Sequence, residues 1–160
     1  MKRVLIALLL VAGCSDGDQP ADESAVAGGI DTTTLAGLYE GGDAARPNQM
    51  CIFSEGEVDR FGIVVWGADM HSCSGAGEAV REGASLRLAM AGDESCTIEA
   101  TIVDGKVTLP TTVPEGCSYY CGAKAQLGSA SFAKVGDTAE DALKARDLVG
   151  EPLCPAAAEG

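Results

Sequence analysis

The stretch SCTIEATIVDGKVTLPTTV, residues 95–113, decides the fold class of this chain. Apolar and polar side chains alternate on both sides of Asp104-Gly105, a dipeptide that strongly favours a two-residue hairpin turn. In the register set by that turn, the apolar residues of both strands share one face, as packing on a core requires. The segment is therefore predicted to be an antiparallel hairpin. The predicted pairs are Val103 with Lys106, Ile102 with Val107, Ala100 with Leu109, and Ile98 with Thr111.

Further short strands are predicted on both sides of this hairpin. Residues 75–92 are predicted to form a second hairpin with its turn at Glu82-Gly83. Residues 125–135 are predicted to form a strand whose alternation of side chains breaks at Gly128, which indicates a bulge or a sharp bend. Residues 61–68, FGIVVWGA, are almost continuously apolar, so a strand there must be packed against protein on both faces or must line a cavity with one of them. Two early strands are predicted at residues 37–42 and 48–53.

Seven or eight strands at this spacing predict a mainly β domain, a small antiparallel meander barrel or a sandwich, and we favour the barrel. One short helix is expected at the C-terminal end, near residues 138–148. Asp137 is predicted to be its N-cap, with Glu140 as the partner that completes a capping box. Gly150 and Pro152 end the helical pattern.

The N-terminus has the pattern of a secretory signal. Two basic residues precede the apolar run 4–11, which is shorter than the ~20 residues that a membrane-spanning helix needs. The sequence Val11-Ala12-Gly13-Cys14 then resembles the lipobox of bacterial lipoproteins. That resemblance implies that residues 1–13 are a signal peptide and that Cys14 carries the acyl chains of a membrane anchor.

The resemblance also implies a location. Bacterial lipoproteins with Asp directly after the lipidated cysteine tend to stay in the inner membrane, whereas Ser15 stands in that position here. We therefore expect the outer membrane, with the protein facing the periplasm or the cell exterior. The partners implied are the membrane, through the lipid anchor, and another protein of the envelope.

Composition divides the remaining chain. Residues 15–34 contain five acidic residues and no basic one, so the segment 14–34 is predicted to be a flexible acidic tether that follows the lipidated cysteine. A single domain should follow over residues 35–155, with a disordered tail at 156–160. The chain carries a formal charge of −13, which argues against nucleic-acid binding and suits a cationic partner.

Six cysteines lie beyond residue 50, an even number that predicts disulfides in an exported protein. Zinc binding is the alternative, but ligand-like spacing occurs only once, in Cys117 and Cys121. We expect Cys121 to pair with Cys154, which would hold the helical tail on the domain. No metal or other cofactor is expected. The cysteines are Cys51, Cys73, Cys96, Cys117, Cys121 and Cys154.

The only histidine, His71, lies in the sequence WGADMHSCSG beside Asp69, Ser72 and Ser74. These residue types suggest a metal site or a hydrolase, but the chain has no second histidine, and neither Ser72 nor Ser74 lies in a Gly-x-Ser-x-Gly motif. We therefore expect no catalytic residue. The candidate binding residues are Arg46, Trp66, His71, Tyr119 and Tyr120.

Together these features predict a non-enzymatic, lipid-anchored module that binds a protein in the envelope, for which a cationic muramidase is one candidate. Strand number, size and export are similar to those of lipocalins and of periplasmic lysozyme-inhibitor lipoproteins. Two alternatives stay open. One is a lipocalin-like carrier of a small apolar ligand, with residues 61–68 lining a pocket around Trp66, and the other is a small hydrolase around His71.

Overall fold

The computed structural model describes residues 30–154, which form a closed antiparallel barrel of eight strands and one short helix. Each strand pairs with the next, and β8 closes the barrel on β1. The predicted barrel is confirmed. The predicted signal peptide, Cys14, most of the predicted tether and the predicted tail at 156–160 lie outside the described residues. The strands are β1 Gly37–Asp43, β2 Arg46–Glu55, β3 Val58–Trp66, β4 Ser72–Glu82, β5 Ser85–Met90, β6 Thr97–Val103, β7 Lys106–Thr108 and β8 Ser131–Gly136, and the helix α1 is Ala139–Ala142.

The hairpin between β6 and β7 has the predicted turn. Val103 pairs with Lys106, and both Asp104 and Gly105 have positive φ, at 49° and 73°, as a type I′ turn requires. The pairing ends at Thr108, so the predicted pairs of Leu109 and Thr111 were wrong. Beyond Thr108 the Leu109 amide donates to the carbonyl of Ala130, next to the start of β8.

Replacement of Gly105 by valine is expected to destabilise the barrel by about 2 kcal/mol, since a β-branched residue resists positive φ. A Cβ at this position would also lie 2.7 Å from Cγ2 of Thr32, in the segment that enters the barrel. Urea unfolding measures the loss. The matched control is Gly56→Val, at another turn glycine of positive φ with nothing within 4 Å of its Cβ position, which should cost less. An equal loss in both variants would contradict the contact with Thr32.

Two other turns differ from the predicted positions. Glu82 pairs with Ser85, so the β4–β5 turn is Gly83-Ala84, one residue later than expected. The last strand begins only at Ser131, and Gly128 lies in a turn rather than in a strand with a bulge. A Cβ on Gly128 would lie 2.5 Å from the carbonyl oxygen of Thr111, which shows how closely the chain passes itself there.

The apolar strand β3 is covered on both faces, as its composition predicted. Phe61 and Ile63 point into the barrel and belong to the main core cluster. Gly62 faces outward beneath the tail, where a Cβ would lie 2.8 Å from the carbonyl oxygen of Leu153. Large side chains from all around the barrel fill its interior. They include Tyr39, Met50, Ile52, Phe61, Ile63, Leu86, Leu88, Ile98, Ile102 and Phe132.

The helix is shorter than predicted and starts one residue later. Thr138 is its N-cap and forms a capping box with Asp141, so the assignment of Asp137 and Glu140 was wrong. Hydrogen bonds from Lys144 and Thr138 lower the pKa of Asp141 to about 2. The helix does not reach residue 148, because the Asp147 side chain accepts from backbone amides at Val149 and Glu151 and so stabilises a turn instead.

Beyond the helix, the segment 143–154 packs on the outside of β1 and β2. Cys154 is bonded to Cys51 of β2, and Ala142 and Ala145 are buried against Leu38 in a second apolar cluster. Two small alanines allow this close approach of the tail to the sheet. The predicted pair Cys121–Cys154 was therefore wrong, although three disulfides form as the even number of cysteines indicated.

Candidate functional site

One end of the barrel is closed by residues 31–35, which we call the plug. Lys134 points into this end, and its Nζ donates to the carbonyl oxygens of Asp31 and Thr34, each at 2.7 Å. The hydroxyl of Tyr39 donates to the carbonyl of Leu35 at 2.6 Å, and burial raises the pKa of Tyr39 to about 12. Residues 31–34 were assigned to the tether but make these contacts with the barrel, so the assignment was wrong for them.

The opposite end is covered by residues 109–130, which we call the cap. Its Cys117 is bonded to Cys96, just before β6, and its Cys121 is bonded to Cys73 at the start of β4. A 3₁₀ helix over Glu115–Tyr120 places the two cysteines toward different strands. Two disulfides thus fix the cap on this end of the barrel, which we call the capped end.

All five candidate binding residues lie at the capped end, although they come from three separate connections between strands. The meander explains this, since the β1–β2 turn, the β3–β4 loop and the cap between β7 and β8 all lie at this end. Arg46 begins β2 and Trp66 ends β3, and the guanidinium carbon of Arg46 lies 4.6 Å from the centroid of the Trp66 ring. The Trp66 amide donates to the side chain of Asn48 at 2.8 Å.

Trp66 faces outward, because Val65 beside it points into the core and neighbouring residues of a strand alternate. Trp66 therefore does not line an interior pocket, which is the position that the carrier alternative gave it. The tryptophan instead borders a small external cavity of about 250 Å³, together with Arg46, Asn48, Asp43 and two glycines.

The two tyrosines of the cap have different environments. Tyr120 packs against the core, and its hydroxyl donates to the carbonyl of Ala91 at 2.7 Å. Tyr119 stands edge-on to Tyr120 with ring centroids 5.3 Å apart, and it is 81% exposed. A groove of about 460 Å³ runs along the same segment between Val113 and Leu127. Tyr119 is thus a rigidly mounted, exposed aromatic ring.

His71 is half-buried in the loop between β3 and β4. A Cβ on Gly122 would lie 2.8 Å from its Nδ1, so the imidazole packs directly against the cap. Asp69 forms an ion pair with Lys124 of the cap. Within residues 30–154, no three His, Cys, Asp or Glu side chains converge in the way a metal site requires, and none of the helices is long and apolar enough to cross a membrane.

Met70 was not among the predicted site residues, yet it is 69% exposed and its Sδ lies 2.6 Å from Nη1 of Arg46. The loop presents it through two successive residues with positive φ, Asp69 at 51° and Met70 at 65°. Asp is a residue type that adopts positive φ more readily than most, but nothing in the sequence WGADMHS indicates that Met70 does so.

Acidic groups outnumber basic groups at the capped end. Among residues 30–154, the basic side chains beside the candidate site are both engaged, Arg46 on Trp66 and Lys124 with Asp69. Hydrogen bonds from Ser95 lower the pKa of Asp93. In the part of the chain that the structure describes, four acidic side chains of this end have no ion-pair partner, which leaves its surface negative. They are Asp43, Asp93, Glu94 and Glu115.

No family model, curated protein or solved structure matches this chain. Its function therefore has to be inferred from the chemistry of the capped end.

Proposed function

We propose that this chain is a lipid-anchored, non-enzymatic module of the bacterial cell envelope whose capped end binds a basic protein, a cationic muramidase being the first candidate. Cys14 anchors it to the outer membrane, facing the periplasm or the exterior. The observation that carries the proposal is that the five candidate residues all lie at one end of the barrel, where Tyr119 is 81% exposed and Arg46 covers Trp66.

The path of the chain supports an orientation in which the capped end faces away from the membrane. The plug follows the tether, so the N-terminal side of the domain meets the barrel at the end opposite the cap. An anchor at Cys14 then tethers the plugged end toward the membrane and leaves the capped end turned away from it. A partner in the envelope space meets the capped end without obstruction by the bilayer.

The cap also has the properties of a protein-binding surface. An exposed tyrosine in a segment fixed by two disulfides offers contact area at a low cost in conformational entropy. The surplus of acidic side chains attracts a cationic partner and raises its association rate. By contrast, the filled barrel interior offers nothing that favours a carrier.

Binding of the mature, full-length protein in detergent micelles to an egg-white-type muramidase tests the proposal. We expect Tyr119→Ala to weaken affinity about tenfold, as loss of a central aromatic does. The matched control is Val103→Ala, an exposed apolar residue of the plugged end, which should leave affinity unchanged.

Charge is tested in the same assay. Glu94→Lys at the capped end should slow association several-fold at low salt, whereas Glu57→Lys in the β2–β3 turn of the plugged end should have a smaller effect. Equal effects of the two reversals, or equal effects of Tyr119→Ala and Val103→Ala, would contradict a binding role of the capped end. If neither this muramidase nor other basic proteins of the envelope bind, the proposal fails.

A further inference from the structure

Met70 differs sharply in environment from the other methionines among residues 30–154. It is 69% exposed, while Met50 is 0% and Met90 is 4% exposed within the barrel core. Thioether sulfur is oxidised where an oxidant reaches it, so exposure decides which methionine reacts. An oxidant dissolved in the envelope space therefore meets Met70 first.

The loop that carries Met70 is held in place by several contacts. The Gly67 amide donates to the His71 carbonyl at 2.8 Å, which closes the loop, and the Ala68 amide donates to the Lys124 carbonyl of the cap at 3.0 Å. The Asp69–Lys124 ion pair adds a side-chain contact to the same segment. The sulfur is thus kept at one place on the surface.

At that place the sulfur lies against a guanidinium group. Nη1 of Arg46 is 2.6 Å from Sδ of Met70, and the same guanidinium covers the ring of Trp66 at 4.6 Å. A thioether is a weak acceptor for such a donor, whereas a sulfoxide oxygen is polar and accepts strongly. The cation therefore has a better partner once the sulfur is oxidised.

We propose that Met70 is a site of reversible oxidation by peroxide, and that its sulfoxide draws Arg46 away from Trp66. In the reaction, a lone pair of Sδ attacks one peroxide oxygen, the O–O bond breaks, and the other oxygen leaves as water after proton transfer. The sulfur loses two electrons and the peroxide gains them. The new sulfoxide oxygen accepts a hydrogen bond from the Arg46 guanidinium, and the face of Trp66 becomes open to solvent.

The test uses hydrogen peroxide on the purified full chain, with mass spectrometry of peptides and the emission of Trp66, the only tryptophan. We expect Met70 to be oxidised at least about tenfold faster than Met50 and Met90. The emission of Trp66 should change at the same rate as the Met70 sulfoxide forms, and a methionine sulfoxide reductase should reverse both changes.

Two variants separate the steps. Met70→Leu should show no early change in emission, and Arg46→Gln should still be oxidised at Met70 while its Trp66 emission stays constant. Oxidation of Met70 no faster than of the buried methionines would overturn the site. Rapid oxidation of Met70 with unchanged Trp66 emission in the wild type would overturn the coupling to Arg46. Neither readout depends on a binding partner, so the outcome is independent of the proposed function.

Discussion

Replacement of both Cys51 and Cys154 by alanine is expected to lower the free energy of unfolding by about 4 kcal/mol. The two cysteines are 103 residues apart, and a crosslink that closes so long a loop removes much of the conformational entropy of the unfolded chain. The same bond pins the tail over Leu38, Ala142 and Ala145. Its loss therefore also exposes apolar surface on the outside of β1 and β2.

The matched variant replaces Cys96 and Cys117, which are 21 residues apart and should contribute about 3 kcal/mol. Urea unfolding of both double variants and of the wild type measures the difference. A chelator should leave the wild type unchanged, and thiol titration of the denatured protein without reductant should find none of these six cysteines free. A loss below ~1 kcal/mol for the long loop, or free thiols with bound zinc, would contradict the disulfide framework.

Replacement of Cys14 by serine is expected to leave an unprocessed precursor that carries no acyl chains. A serine hydroxyl lacks the nucleophilic thiolate that the lipid modification needs. In the processed wild type, the acyl chains contribute ~0.8 kcal/mol per buried CH₂ to membrane attachment. Wild type should enter the detergent phase on phase separation and carry the mass of its acyl chains.

The control for this experiment is Ser15→Asp, which leaves the cysteine in place. That variant should keep its acyl mass and its partition into detergent, while its location shifts toward the inner membrane. If Cys14→Ser is processed normally, the lipobox interpretation is wrong.

The strands could be predicted because their signals are local. Alternation with period two around Asp104-Gly105 sets the face and the register of the hairpin within a few residues. The order of the strands followed too, since short turns between successive strands favour a meander. The turn at Gly83-Ala84 was misplaced by one residue, because Glu82-Gly83 and Gly83-Ala84 both contain the glycine that the turn needs.

The disulfide pairing and the plug could not be predicted in this way, because they depend on contacts between distant segments. Phe132 and Lys134 are two residues apart in β8, so both side chains point inward. The hydrogen-bond acceptors of Lys134, at Asp31 and Thr34, lie about a hundred residues earlier in the chain. Composition marked residues 31–34 as tether because they are polar. Their backbone carbonyls, which composition does not describe, bind the lysine.

The candidate site was partly predictable. Arg46, Trp66 and His71 were each identified from residue type, and their meeting at one end follows from the meander. The exposure of Met70 and its contact with Arg46 were missed, since they arise from a left-handed backbone that continues from Asp69 to Met70, a residue type that rarely adopts positive φ.

The central claim is that the capped end, and not the plugged end, meets a basic protein in the envelope. Photo-crosslinking in intact cells tests it most directly, with a benzophenone amino acid placed at residue 119 in one strain and at residue 103 in another. Both positions are exposed and they lie at opposite ends of the barrel. We expect a crosslink to a basic protein from residue 119 and none to that protein from residue 103. A crosslink to the partner from residue 103 alone, or no protein crosslink from residue 119, would contradict it.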